Sequence, residues 1–290
     1  MISILIPIYN ISVCELVQSI HKQAVALNIP FEIILIDDNS EQQWKDTNKQ
    51  LSTLQNVEYK ELTENIGRAK IRNLLADTAQ YPYLLFIDCD AEIDNTSFID
   101  NYLSECKGTT IVCGGIKYDN NCPNKDFYLR WKYGIKRECK KTDFLSSNFL
   151  ISKGLFDKIK FNELFPVYGF EDTFFRFSLH KQGIKSKKIN NPLIHKGLYD
   201  AEEFILRTEV CLRSLSDLYQ KQLIPDDFLE YLRIGKTYKK LYRLHLPKVV
   251  ASFYNCTHFF SKWMIKKTSS LFLLDIYKIG FFCKQMNHAK

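Results

Sequence analysis

The chain has 290 residues, of which 46% are hydrophobic and 25% charged, with a formal net charge of +7. Those proportions are ordinary for a soluble globular protein and allow one large core, or one core plus a smaller appendage. Nine scattered cysteines with no C-x-x-C pair argue against a disulfide framework or a zinc site, and for reduced thiols in a cytosolic compartment.

In chain order, residues 2–8 form an apolar strand and 12–27 a helix, with Ser12 as its N-cap candidate. Met1 leads straight into that strand with no basic stretch or cleavage site, so no signal peptide is expected. A second strand, 31–36, ends in Asp37-Asp38-Asn39-Ser40, and 57–60 is a short third. A helix over 66–79, introduced by Thr63 and Asn65, precedes a fourth strand at 83–87. Continuous apolar strands spaced by helices predict a mostly parallel sheet covered on both faces, with function at the strands' carboxyl ends. The run 109–117 reads as a strand broken at Gly114-Gly115, and 118–141 as a polar, basic and aromatic loop or short helix. Residues 144–151 resume as a strand, 171–182 as a helix closed by Gly183, and 187–195 as an extended segment containing Asn191-Pro192. Beyond Asp200 the pattern becomes helical, with helix starts at Pro225 and Pro247. The resulting division is an α/β domain over 1–200, with halves of about 1–117 and 118–200, and a basic helical region over 201–290.

The charge is uneven. Residues 231–290 hold 12 Lys/Arg and one acid, Asp275, whereas residues 1–230 hold 28 bases and 32 acids. A basic end on a mildly acidic body calls for an anionic partner, whether membrane lipid, nucleic acid or an acidic acceptor. The run 271–282 is densely apolar, but Asp275 and Lys278 interrupt it and it is shorter than the ~20 residues a bilayer span needs. It reads either as an amphipathic helix at a membrane surface or as a helical cap on the domain over 1–200.

Asp88-Cys89-Asp90 closes the apolar run Tyr83-Leu84-Leu85-Phe86-Ile87. Side chains alternate along a strand, so both carboxylates share one face and Cys89 points away. Such a pair suits a hard divalent cation that can hold a diphosphate, with Asp90 as the ligand; it is also what a solvated acidic turn looks like. Arg68 and Arg72 share one face of a helix that starts at Asn65-Ile66-Gly67, a natural anion site unless the arginines simply pair with Glu64 or Asp77.

Five segments stand in a recognisable order: Ile6-Pro7-Ile8-Tyr9-Asn10, Ile36-Asp37-Asp38-Asn39-Ser40, Glu64-Asn65-Ile66-Gly67-Arg68-Ala69 with Arg72-Asn73, Phe86-Ile87-Asp88-Cys89-Asp90, and Tyr168-Gly169-Phe170-Glu171-Asp172-Thr173 after Ser147-Asn148-Phe149. Together they resemble the family 2 glycosyltransferases over roughly residues 2–195. The Tyr168–Asp172 stretch is also similar to the acceptor-side motif of galactosyl- and N-acetylgalactosaminyltransferases. The resemblance implies an α/β GT-A fold, a Rossmann-like sheet flanked by helices, here with a C-terminal helical extension. It implies an inverting, metal-dependent hexosyltransferase moving a sugar (Gal, GalNAc, Glc or GlcNAc) from a UDP-sugar to a glycan or lipid-linked glycan acceptor in surface polysaccharide synthesis. Mn2+, or Mg2+ in its place, is the implied cofactor, held by Asp90, Asp88 and His195. Asp38 would accept a hydrogen bond from the uracil imide, Pro7 and Tyr9 would wall the base, and Asp88 would also serve the ribose. Asn65, Gly67, Arg68 and Arg72 complete the nucleotide-sugar set, with Arg72 nearer the nucleotide. Asp172 is the implied general base and Glu171 the residue orienting the acceptor. Simpler roles stand beside these: an Asx turn or cap for Asp38, strand-end packing for Pro7 and Tyr9, a surface or core imidazole for His195, and a first-turn acidic pair for Glu171-Asp172. One departure is Ile159-Lys160-Phe161-Asn162-Glu163, where many relatives carry Gly-Gly-Phe-Asp-Glu.

The expected location is cytoplasmic, with peripheral attachment to the inner membrane face through 231–290. The alternative is a non-enzymatic nucleic-acid- or membrane-binding protein driven by the basic region. No nucleic-acid partner is expected, since that reading leaves the aspartate clusters idle. A sugar-nucleotide pyrophosphorylase would need a Gly-rich, Arg-containing loop after its first strand, which Pro7-Ile8-Tyr9-Asn10 lacks.

Overall fold

The computed structural model describes residues 1–108, 111–140, 144–165 and 169–287. Thr109, Lys141 and Tyr168, each part of a segment assigned above, lie outside the described residues.

The chain opens with β1 (Ile2–Ile8), α1 (Cys14–Ala26), β2 (Phe31–Asp37), α2 (Gln42–Lys49), β3 (Val57–Glu61), α3 (Arg68–Thr78) and β4 (Tyr83–Ile87). There follow β5 (Ala91–Glu92), α4 (Phe98–Leu103), β6 (Ile111–Cys113), β7 (Ile116–Lys117), α5 (Tyr128–Tyr133) and a π-helical turn over Gly134–Glu138. Next come β8 (Asn148–Ser152), α6 (Lys153–Ile159), α7 (Glu171–Lys181), β9 (Lys187–Lys188) and β10 (Leu193–His195). Five helices close the chain: α8 (Ala201–Gln220), α9 (Asp226–Tyr231), α10 (Arg233–Arg243), α11 (Pro247–Thr268) and α12 (Leu271–Asn287).

Among the described residues one sheet has seven strands in the order β3-β2-β1-β4-β8-β6-β9. The pairs β1–β2, β2–β3, β1–β4 and β6–β9 are parallel, and β8 runs antiparallel between β4 and β6. A three-stranded sheet orders β5-β10-β7, with β10 antiparallel to β5. Ile2, Ile4, Leu5, Ile6 and Ile8 are all buried, the near-continuous burial that a sheet covered on both faces imposes.

Where the elements depart from the sequence reading, the cause is tertiary. Ser12 does not cap α1; Val13 is its N-cap, and the Val13 N–H donates to Asn48 Oδ1 of α2 at 3.0 Å. The expected strand over 144–151 begins only at Asn148, with the Ser147 carbonyl accepting from Asp88 N–H instead. In α12, Leu274, Tyr277, Phe281, Phe282 and Cys283 are buried. One side of that run therefore packs among helices, while Phe272 and Ile276 are exposed.

The chain forms two compact units. The first is Met1–Asn120, Gly134–Pro166 and Ser178–Gly197, carrying both sheets. The second is Asn121–Tyr133, Val167–Phe177 and Leu198–Lys290, a helical assembly. Inside it, Phe228 of α9 takes the rings of Phe174 and Phe177 edge-on at 4.8 and 5.3 Å. Buried Glu209 of α8 accepts from Tyr277 of α12 and pairs with Lys262 of α11 at 2.8 Å.

Candidate active site

Asp38 sits at the carboxyl end of β2 and is buried. Its carboxylate accepts from the Ile66 and Gly67 N–H groups at 2.7 and 3.1 Å, and Asn65 Nδ2 donates to its carbonyl at 3.1 Å. Gly67 is the N-cap of α3 with φ 83°, a left-handed conformation that glycine adopts without steric cost. The anion at the start of α3 is thus the protein's own Asp38. Burial pushes its carboxyl up from the ordinary range, against the lowering effect of the two backbone hydrogen bonds. Its neighbour Asp37 caps the turn, accepting from Ser40 N–H at 2.6 Å. Pro7 lies in register with Ile36, and the Tyr9 ring at the strand's end is exposed.

Arg72, one turn into α3, is buried and donates through Nη2 to Asp88 Oδ1 at 2.5 Å and through Nη1 to the Arg68 carbonyl at 3.2 Å. Its guanidinium lies 5.6 Å from the centre of the Phe161 ring. Neither Glu64 nor Asp77 is its partner; Asp77 pairs with Lys160. Arg68 is exposed and near enough to bear on the Cys89 thiol. The neighbouring Asn73 brackets Phe161, donating to its carbonyl and accepting from its N–H, both at 2.9 Å.

Asp90 faces His195, with Oδ1 and Nδ1 3.3 Å apart. Their meeting follows from the small sheet, in which Ala91 pairs with His195 and Lys196 N–H donates to the Asp90 carbonyl at 2.8 Å. The Tyr118 ring stands edge-on to His195 at 5.2 Å, and its hydroxyl donates to Glu138. At Gly197 a Cβ would lie 2.1 Å from Asp90 Oδ2 and 3.0 Å from His195 Cε1, so only glycine lets the backbone pass this closely. Cys89 between the two aspartates points the other way, packs against the core and keeps its proton. Burial first, then the flanking carboxylates, push its thiol up to about 12.

The donor set at Asp90 and His195 fits a divalent cation. A carboxylate oxygen and an imidazole nitrogen converge, while Asp88 is engaged by Arg72. Among the described residues no group of three or more His, Cys, Asp and Glu is gathered as a metal cage. One or two protein donors completed by substrate phosphates is the usual arrangement for such ions.

Glu171 and Asp172 belong to the second unit, described on its own, and begin α7. Buried Glu171 turns back and accepts from Gly169 N–H at 3.0 Å. Asp172, partly exposed, accepts from Thr173 N–H at 2.6 Å and from Thr173 Oγ1 at 3.0 Å. Gly169 has φ 114°, and a Cβ there would strike Cys211 Sγ of α8 at 2.3 Å.

The fold therefore gathers Asp38, Asn65, Gly67, Arg68, Arg72, Asp88, Asp90 and His195 in one unit. Tyr118 and Gly197 stand in none of the segments singled out in the sequence, and Phe161 stands in one, Ile159–Glu163, only as a departure from the pattern; Gly197 is signalled by nothing but its place two residues beyond His195.

A family model described as "Glycosyl transferase family 2" matches residues 3–174. No curated protein sequence matches the chain. Among solved structures, S. aureus TarS residues 1–349 shares 20% identity with a TM-score of 0.50, over 73% of this chain and 64% of that one. The chain thus spans less than two thirds of that structure in this alignment. The same TarS fragment in complex with UDP-GlcNAc aligns at 19% identity and TM-score 0.52, over 99% of this chain and 90% of that one. Mannosyltransferase PcManGT from Pyrobaculum calidifontis, in complex with GDP-Man and Mn2+, gives 12% identity and TM-score 0.56, over 98% and 87%. At these identities the likeness is one of fold.

Proposed function

The chain belongs to glycosyl transferase family 2 and has the GT-A fold, and from that premise we propose that it is an inverting hexosyltransferase using a UDP-sugar. The observation that carries the reading is the pairing of Asp90 with His195 beside the Arg72–Asp88 ion pair, at the carboxyl end of β4. The proposed sugar is Gal, GalNAc, Glc or GlcNAc, and the proposed acceptor a glycan, free or lipid-linked, at an anionic membrane surface.

Asp90 and His195 would hold the Mn2+ or Mg2+ ion, whose chemistry is to neutralise charge on the departing diphosphate. Asp88, oriented by its ion pair with Arg72, accepts from the ribose hydroxyls. Asp38 has spare acceptor capacity after its two backbone bonds, because a carboxylate offers about four lone-pair sites; the uracil imide N–H supplies a third donor. The exposed Tyr9 ring stacks on the base. Asp172 takes the proton of the acceptor hydroxyl as that oxygen bonds to the sugar's anomeric carbon, on the face opposite the carbon–oxygen bond to diphosphate, which breaks. Glu171, folded back on Gly169, holds the turn that presents Asp172. Bound UDP-GlcNAc in the TarS fragment and bound GDP-Man with Mn2+ in PcManGT support a nucleotide-diphosphate donor.

The test is a melting-temperature panel of UDP-, GDP-, dTDP- and CMP-sugars with and without Mn2+. A UDP-sugar at a hundredfold excess over Kd stabilises by about 2.7 kcal/mol, and the gain should need Mn2+ and vanish in Asp90→Asn. Stabilisation by none of the four classes would end the proposal. Asp172→Asn should keep donor binding and lose ~10²-fold or more in turnover.

A further inference from the structure

Helix α11 buries Pro247, Ala251, Tyr254 and Ile265 along one side. On the opposite side Val249, Phe253, Cys256, Phe260 and Trp263 follow one another in steps of four, three, four and three residues, and all are exposed. That spacing puts them on a single stripe about 21 Å long at 1.5 Å per residue. Phe259, 80% exposed, lies beside it. A soluble helix normally turns such residues inward, so a contiguous outward stripe of aromatic rings marks a contact surface.

We infer that this outward stripe of α11 lies in the headgroup region of an anionic lipid bilayer. Charge decides the occupant. Between Arg233 and Thr268, α10 and α11 carry nine Lys/Arg and no Asp or Glu. Some of these cations are held by other helices: Lys239 by Asp226, Lys262 by Glu209 and Lys266 by Glu202. Lys240, Arg243 and Lys248 form no ion pair among the described residues, and Lys267 lies 5.0 Å from the centre of the Trp263 ring. The same four-three spacing would serve a helix pair, but a second copy of α11 would bring cations against cations. Paired coiled coils instead set opposite charges beside the seam and branched aliphatic residues within it. Aromatic rings flanked by lysines suit the boundary between acyl chains and anionic headgroups. No helix among the described residues is long and apolar enough to cross a membrane, so α11 lies on the bilayer.

The inference deepens the proposed function by naming the surface that meets the membrane, and its readout does not depend on catalysis. Full-length protein is sedimented with phosphatidylglycerol vesicles and with phosphatidylcholine vesicles, beside the variant Phe253→Ser/Phe260→Ser/Trp263→Ser. The wild type should pellet with the first lipid and not the second. The variant should bind at least tenfold more weakly while keeping its melting temperature and its stabilisation by UDP-sugar. Cys256 is the one exposed cysteine of the nine, and an environment-sensitive maleimide dye there should shift to shorter wavelength on adding phosphatidylglycerol vesicles. Equal binding by the variant, an unchanged dye spectrum, or a wild-type dimer that the variant converts to monomer would each overturn the inference. The last outcome would assign the stripe to a second copy of the chain. Loss of UDP-sugar stabilisation in the wild type with vesicle binding intact would instead count against the donor assignment alone.

Discussion

Arg72 is the residue on which the Asp88 end of the candidate site turns. Its side chain is 3% exposed and Asp88's 19%, so removing one partner leaves the other's charge poorly solvated. Breaking a buried pair costs about 3–5 kcal/mol, and the partial exposure of Asp88 lowers the expectation for Arg72→Met to about 2–3 kcal/mol in urea unfolding. Adding Asp88→Asn should return much of that stability without returning transfer activity; an Arg72→Met protein as stable as the wild type would show the pair to be incidental. Gly197 acts on the other aspartate. In Gly197→Ala the new Cβ must push Asp90 Oδ2 aside, turning the carboxylate whose Oδ1 faces His195. Disturbed ligand support typically weakens metal affinity about 10–100-fold. The Mn2+ concentration for half-maximal activity should rise by that factor while the melting temperature stays near the wild type's. An unchanged Mn2+ requirement would mean the carboxylate finds an equivalent position.

At the scale of elements, a buried amide ladder fixes where His195 stands. Asn148, at the start of β8, donates to the Gly115 and Asn191 carbonyls at 2.8 and 2.9 Å and accepts from Tyr102 at 2.6 Å. Asn191 donates to the Phe98 carbonyl and accepts from Asn95 and Asn101. The ladder joins β8 to the β6–β7 turn and to the Asn191-Pro192 bend that leads into β10. Each orphaned buried group costs about 1–3 kcal/mol, so Asn148→Ala should lose about 3 kcal/mol or more of unfolding free energy, and with it the register of β10. A loss under 1 kcal/mol would mean that water replaces the amide. None of this was legible in the sequence. Asp38, Asp88 and Asp90 were, because each ends an apolar run and strand ends are marked locally. His195 was reached only through resemblance. The two-residue strand β5, the Asn48 cap on α1 and the Phe161 ring under Arg72 depend on partners 35 to 104 positions away, where periodicity carries no signal. The break at Gly114-Gly115 was visible because glycine punctuates a strand wherever its partners lie.

For the molecule as a whole, composition changes near residue 200 and the helical unit resumes at Leu198, but that unit does not begin there. The helical unit includes two earlier stretches, Asn121–Tyr133 and Val167–Phe177. Arg130 and Tyr133 of α5 rest on the Phe204 ring of α8. Gly169 presses against Cys211, and Phe174 and Phe177 close on Phe228. A chain ending at residue 200 keeps both stretches and loses every one of these partners. Each Phe or Tyr so uncovered forfeits up to about 1.5–3 kcal/mol, and three of them together approach the whole stability of a typical domain, about 5–15 kcal/mol. The turn that presents Glu171 and Asp172 lies inside one of the orphaned stretches. Residues 1–200 alone should therefore show no cooperative thermal transition and no turnover, while the full chain melts in a transition sharpened by donor. A cooperative melt of the fragment with donor stabilisation intact would mean that the seven-stranded sheet folds without the helical unit. The 121–133 and 167–177 segments would then be passengers of the helices.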